Sequence, residues 1–296
     1  MSFAPQVIND LNGRVAVVTG GGTGIGLLIT QGLAAAGAKV YITGRRLEVL
    51  KKVADSWDAQ KCSGEIVPLQ MDVTDKMSIV AGKRFIEERE GKLHVLVNNA
   101  GQVGPTSTFF NDLSAPEHKD AETLGMALFE NESLEGWADL YKINAFSIFF
   151  VTNAFLGLLD KGSNDVPGYS SVVINITSIS GIIKVAQDHF CYNSAKAAGS
   201  HLTKMLSTEF ALKNVNVRVN AIAPGIYASE MTFDEVKPED VDKIGKGVKG
   251  VPAKRAGNGQ EMAGTAVYLA SRAGGYVNGQ EIVIDGGYVA VNPSVI

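Results

Sequence analysis

The chain has 296 residues, 45 % of them hydrophobic and 20 % charged, which is enough to bury a sizeable core. Lys+Arg of 27 against Asp+Glu of 31 leaves a net charge of −4, and this excludes a surface built to hold nucleic acid. Two cysteines, Cys62 and Cys191, exclude a disulfide framework and an all-cysteine zinc site.

From the N-terminus, Met1 to Asn12 carries neither a basic n-region nor an apolar h-region, so no signal peptide is expected and a cytoplasmic location is the default. Short β-branched runs then alternate with longer helical segments. The runs are Val15–Val18, Val40–Thr43, Ile66–Leu69, Val95–Asn98, Val172–Thr177, Val217–Ala221 and Glu281–Ile284. The helical segments are Gly24–Ala36, Leu47–Trp57, Lys76–Glu90, Leu134–Leu159, Tyr192–Leu212 and Gly259–Ala270. This alternation predicts an α/β, Rossmann-type doubly wound parallel sheet of about seven strands in one domain. The most apolar long stretch, Ser147–Leu159, is shorter than the ~20 residues of a spanning helix, so no membrane partner is expected. Two stretches break the rhythm: a polar, acid-leaning insertion, Gly104–Ser133, and the segment Tyr227–Asn258, which mixes Lys, Asp and Gly. Both read as long loops over a binding site, the second as a substrate lid.

The first strand ends in Thr19-Gly20-Gly21-Gly22-Thr23-Gly24-Ile25-Gly26 and runs straight into a helix. Glycines there permit a tight turn and let backbone N–H groups approach a pyrophosphate at the helix N-terminus. The spacing Gly20, Gly24, Gly26 departs from G-x-G-x-x-G, so the context of strand and helix carries the signal. The second strand is followed by Gly44-Arg45-Arg46, where a carboxylate is expected if the cofactor ribose bears a free 2′-OH. Arginine suits a 2′-phosphate, so NADP(H) is the better match, against the plainer reading of two solvated helix-start residues. Tyr192 and Lys196, at i and i+4, share one face of a helix. An ammonium beside a phenol favours the phenolate and draws its pKa from ~10 toward neutrality, which a proton donor or acceptor needs.

Taken together, Thr19-Gly20-x-x-x-Gly24-x-Gly26, Asn98-Asn99-Ala100-Gly101, Ser178 and Tyr192-Asn193-Ser194-Ala195-Lys196 resemble the short-chain dehydrogenase/reductase family. Pro224-Gly225 with Ser229 and Met231, and Asp285-Gly286-Gly287, fit the same pattern, so the resemblance covers roughly residues 11 to 288. Within the family the chain is similar to NADPH-dependent 3-oxoacyl reductases and to ketoreductases of polyketide pathways. The resemblance implies reduction of a small-molecule carbonyl substrate, with Tyr192 as proton donor, Ser178 on the carbonyl and Lys196 reaching the nicotinamide ribose; the alternatives are oxidation of an alcohol by the same residues, a non-redox isomerisation or cyclisation on the same fold, and a dinucleotide-binding regulator without turnover. It implies that Asn144 holds a water on the path from the lysine, the alternative being a buried asparagine satisfied by backbone. Asp72-Val73 is implied to contact adenine, against a helix-capping role for the aspartate. The Ser178–Tyr192 interval is one residue longer than the commonest spacing, which leaves Ser180 as an alternative to Ser178.

Thr19, Gly20, Gly22, Thr23, Gly24, Ile25 and Gly26 are therefore the expected cofactor loop. Arg45, Arg46, Asp72, Val73, Asn99, Ala100, Gly101, Tyr192, Lys196, Pro224, Gly225, Ser229 and Met231 are the other expected cofactor contacts. The histidines show no metal-ligand spacing, and Cys191 reads as a packed thiol. The stripe Phe146, Phe149, Phe150, Phe155 reads as core or subunit interface. Family helices of this kind pair about a two-fold axis, which implies a homodimer or homotetramer.

Overall fold

Seven strands form a single parallel sheet in the order β3-β2-β1-β4-β5-β6-β7. They are β1 Val15–Thr19, β2 Lys39–Gly44, β3 Glu65–Gln70, β4 Val95–Asn98, β5 Ser171–Ile176, β6 Val217–Pro224 and β7 Glu281–Ile284. The structure is a computed structural model that describes residues 3–58, 63–228 and 236–295. Among these, the helices are α1 Pro5–Ile8, α2 Gly24–Ala35, α3 Leu47–Ser56, α4 Lys76–Glu90, α5 Ala121–Asn131, α6 Leu134–Tyr141, α7 Ser147–Asp165, α8 Phe190–Leu212, α9 Val241–Gly245, α10 Gly259–Ala270 and α11 Tyr288–Val291. Every strand expected from sequence is present. The expected single helix from Leu134 is α6 and α7, joined by a π turn at Lys142–Phe146 and ending at Asp165 instead of Leu159.

Residues alternate along each central strand between two cores. Ala16 and Val18 of β1 face a cluster with Ile29 and Leu33 of α2 and Met262, Ala266 and Leu269 of α10. Val15 and Val17 face the opposite cluster, with Ile79 and Ile86 of α4, Val151 and Phe155 of α7 and Leu206 and Phe210 of α8. A strand buried on both sides needs an unbroken apolar run, which explains the β-branched signature. The strand order reverses between β1 and β4, and the crevice beyond their carboxyl ends is where such sheets bind ligands.

The helical run Leu134–Asp165 is, by length and composition, long and apolar enough to cross a bilayer, so the expectation of a stretch too short to span is corrected. Half of its most apolar window is nevertheless buried inside the protein, where Val151, Phe155, Leu158 and Leu159 pack on the sheet. In a bilayer that face would leave the sheet uncovered.

The insertion 104–133 is also not the loop expected. It contains a 3₁₀ turn at Thr108–Asn111, another at Pro116–His118, and α5. Asp120 caps α5 by accepting from the Thr123 N–H at 2.8 Å, and Ser133 caps α6 from the Gly136 N–H at 3.0 Å. The segment 227–258 holds α9, and a third apolar cluster under it joins Val241 and Val251 to Ile179, Ile182 and Tyr288.

Candidate active site

A cleft of ≈ 540 Å³ runs along the carboxyl ends of the strands, from the β2 turn to the start of α8. Its walls include Gly20, Gly22, Thr23, Gly24, Ile25 and Gly26, then Arg45, Arg46, Asp72 and Val73, then Asn99, Ala100 and Gly101, and finally Ser178, Tyr192, Lys196, Pro224 and Gly225. Thus residues scattered over two hundred positions in sequence line one trough.

The glycine loop is held so that only glycine fits at its close approaches. Gly20 and Gly24 have φ of +64° and +50°. A Cβ on Gly26 would lie 2.2 Å from the Gly20 carbonyl oxygen and 2.4 Å from Asn99 Nδ2. Thr23 precedes α2 without a side-chain cap, so the first N–H groups of that helix remain for an anion. An extended dinucleotide fits these features: a bare helix N-terminus at mid-trough, a cradle of glycines, and cationic side chains at one end. Arg45 and Arg46 are exposed at that end.

Thr19 lies off the cleft wall. Its hydroxyl donates to the Val97 carbonyl at 3.2 Å and accepts from the Asn99 and Ala100 N–H groups at 2.9 and 3.1 Å. Asn99 Nδ2 returns the contact, donating to the Thr19 carbonyl at 2.9 Å and that of Gly20 at 3.1 Å. Thr19 therefore braces the β1 loop against the β4 loop. Asn144 is likewise off the wall: its Oδ1 accepts from the Gln102 N–H and its Nδ2 donates to the Gln102 carbonyl, both at 2.9 Å. This is the backbone-satisfied arrangement, placed by the π turn, and it fixes the loop after β4. Asp72 lines the cleft, but its Oδ1 accepts from the Thr74 N–H at 2.9 Å and hydroxyl at 2.7 Å, and Asp75 is the cap of α4. Ser229 and Met231 lie outside the described residues, as does Cys62.

At the far end, Ser178 leaves β5 and its Oγ accepts from the Ser180 N–H at 3.1 Å. It is also hydrogen-bonded to the Tyr192 side chain. Ser180 turns away and donates to Gln187 Oε1 at 3.0 Å, so Ser178 is the serine on the cleft. Lys196 is buried; its Nζ donates to the Ile176 carbonyl at 2.8 Å and sits 5.6 Å from the centre of the Tyr192 ring. Burial lowers the lysine to a pKa of about 8. Burial also raises Tyr192, with the hydrogen bond to Ser178 pulling it back. Sequence reasoning did not find Gln102, Val103 and Ile143 on the same walls, while Tyr227, the first residue of the expected lid, is there. Tyr227 is buried, which pushes its phenol up to about 12.

The chain resembles known proteins along nearly its whole length. A family described as enoyl-(acyl carrier protein) reductase matches residues 20–289. The short-chain dehydrogenase/reductase PhomF of Diaporthe leptostromiformis is 38 % identical over 311 aligned positions, spanning 99 % of this chain and 98 % of the relative. Among solved structures, the RhlG/NADP active-site complex of Pseudomonas aeruginosa superposes with a TM-score of 0.75 at 29 % identity, covering 95 % of this chain and 98 % of that one. A 7α-hydroxysteroid dehydrogenase complexed with NADH and 7-oxo glycochenodeoxycholic acid gives 0.75 at 28 % identity, covering 97 % and 98 %.

Proposed function

The chain belongs to the short-chain dehydrogenase/reductase family, and on that premise we propose that it is an NADPH-dependent reductase of a ketone or other small-molecule carbonyl, of 3-oxoacyl or polyketide type. The observation that carries this reading is the meeting of Ser178, Tyr192 and Lys196 at one end of a trough whose other end is the glycine loop and two arginines. Bound NADPH supplies the hydride. Gly20 to Gly26 would hold its pyrophosphate, Arg45 and Arg46 would meet the 2′-phosphate, and Lys196 would serve the nicotinamide ribose.

The protein's own part is to bind and polarise the carbonyl and to deliver one proton. Ser178, oriented by the Ser180 N–H, donates its O–H to the substrate oxygen. Tyr192, kept protonated by burial, gives its proton to that oxygen. A protonated phenol is the form that reduction needs. Lys196, with a pKa of about 8, is a cation at pH 7 and stabilises the phenolate left behind. Phe146, Phe149 and Phe150 are 38–49 % exposed, and with Met205 and Leu212 of α8 they give a homodimer or homotetramer an apolar surface to bury.

A second reading, oxidation of an alcohol, uses the same residues and is favoured by the likeness to a hydroxysteroid dehydrogenase holding NADH. The test is oxidation of NADPH and of NADH in the presence of acetoacetyl-CoA, 9,10-phenanthrenequinone and cyclohexanone, with the corresponding alcohols and oxidised cofactors as the reverse arm. Turnover with NADPH and a carbonyl supports the proposal; turnover only from alcohols with NAD overturns it.

A further inference from the structure

Gln187 and Asp188 are consecutive non-glycine residues in the left-handed region, with φ of +54° and +65°. Each such residue costs on the order of 1 kcal/mol, and the conformation persists only where the surroundings over-determine it. What fixes this dipeptide is visible in its bonds. Gln187 Nε2 donates to the Gly245 carbonyl at the end of α9 and to Tyr288 OH at 3.1 Å, while Gln187 Oε1 accepts from Ser180, two residues past Ser178. The Asp188 carbonyl accepts from the Ser107 N–H at 2.9 Å, at the root of the insertion. Ser107 in turn donates to Glu132 Oε1 at 2.6 Å, whose Oε2 accepts from Trp137 Nε1 at 2.6 Å.

The charge sits at the same point. The Asp188 side chain is only 4 % exposed, and its Oδ2 lies 2.7 Å from Lys246 Nζ. Lys246 directly follows α9 and is itself left-handed, with φ of +45°. Among the described residues, Asp188 Oδ1 is buried without a hydrogen-bond partner, and the carboxylate's one counter-charge within bonding distance is this ammonium. Four residues on is Tyr192.

We propose that Asp188 is a positioning residue of the reduction: its carboxylate, through Lys246, and its carbonyl, through Ser107, hold the two substrate-side segments onto the loop that leads into the helix of Tyr192. The proposal rests on the reaction read above. Aspartate tolerates this backbone, but so do asparagine and glycine, so the turn alone does not account for a buried charge here. The pair is also asymmetric. Lys246 is 37 % exposed and hydrates if left alone, whereas Asp188 does not. Removing the lysine strands a buried carboxylate and is the more damaging change.

The test compares Asp188→Asn, Lys246→Met, Lys246→Arg and the double variant Asp188→Asn/Lys246→Met. The probe is whichever of acetoacetyl-CoA, phenanthrenequinone or cyclohexanone the unaltered protein reduces. Asp188→Asn should lower kcat/KM about tenfold, chiefly through KM, with the NADPH Kd within twofold. Lys246→Met should do worse, the double variant should return to the Asp188→Asn level, and Lys246→Arg should keep most of the activity. Native-state hydrogen exchange on the same proteins needs no substrate: in Asp188→Asn, protection should fall together in residues 105–110 and 241–250 and stay unchanged in β1 and α2. Exchange that changes only in 241–250, or everywhere alike, overturns the proposal, as does a parallel loss of NADPH affinity. Absence of turnover with every probe refutes the reductase reading instead, and the exchange result still decides the positioning role.

Discussion

Lowering the pH should destabilise this fold through one buried imidazole. His94, fully buried just before β4, accepts from the Val15 N–H at Nδ1 (3.0 Å), which places its proton on Nε2, 3.2 Å from Asp165 Oδ2. Burial, reinforced by the Arg14 and Lys92 charges and opposed by Asp165, lowers its pKa from 6.5 to about 4. Between those values the unfolded chain binds a proton that the folded one does not. The stabilisation is therefore complete above pH 6.5 and is lost as pH falls toward 4. At ~1.36 kcal/mol per pH unit, the window is worth about 3 kcal/mol, a large part of the ~5–15 kcal/mol that holds a typical domain. His94→Asn keeps an acceptor for Val15 but cannot take a proton. Urea unfolding followed by circular dichroism at pH 7, 6, 5 and 4.5 should find the variant less stable at pH 7, by about 1–3 kcal/mol. The difference should close by roughly 2–3 kcal/mol at pH 4.5. Carboxylates away from His94 cancel in this comparison, and Asp165, held below its ordinary 3.8 chiefly by Lys92, stays largely ionised across the range. A difference that stays constant across the range would refute the assignment of a neutral, proton-refusing imidazole.

Three further outcomes follow from the site and its surface. NADPH should bind at least tenfold more tightly than NADH, about 1.4 kcal/mol, and Arg45→Ala should weaken NADPH selectively in a fluorescence titration; equal losses for both cofactors would make the arginine a support of the fold. Ser178→Ala should lower turnover with NADPH affinity preserved, and Ser180→Ala should do less, because Ser180 faces Gln187. Light scattering should report a homodimer or homotetramer at micromolar concentration, and a mass near 31.3 kDa would contradict the reading of the exposed phenylalanines.

What the sequence discloses, and what it hides, follows from the range of each interaction. A strand buried on both faces leaves a contiguous apolar run, and a loop that admits no Cβ leaves glycines, so β1, Gly20, Gly24 and Gly26 are legible locally. Helix α5 has no buried residue, so it carries no core stripe to read; only its caps, Asp120 and Ser133 of the next helix, betray it. The π turn leaves no periodic signature, and the exchange between Asn144 and Gln102 joins segments 42 residues apart. The brace between Thr19 and Asn99 exists because β1 and β4 are neighbours, a fact of topology. Tyr192 and Lys196 are readable as a pair, but not the burial that raises one and lowers the other.

Tyr192→Phe tests the central claim most directly, since it removes one hydroxyl and leaves the ring that packs beside Lys196. Steady-state NADPH oxidation with a reduced carbonyl probe should fall by about 10²–10⁴, while the NADPH Kd measured by fluorescence stays within about twofold. Near-normal carbonyl reduction by the variant would mean that Tyr192 is not the acid, and the account of the site would fail.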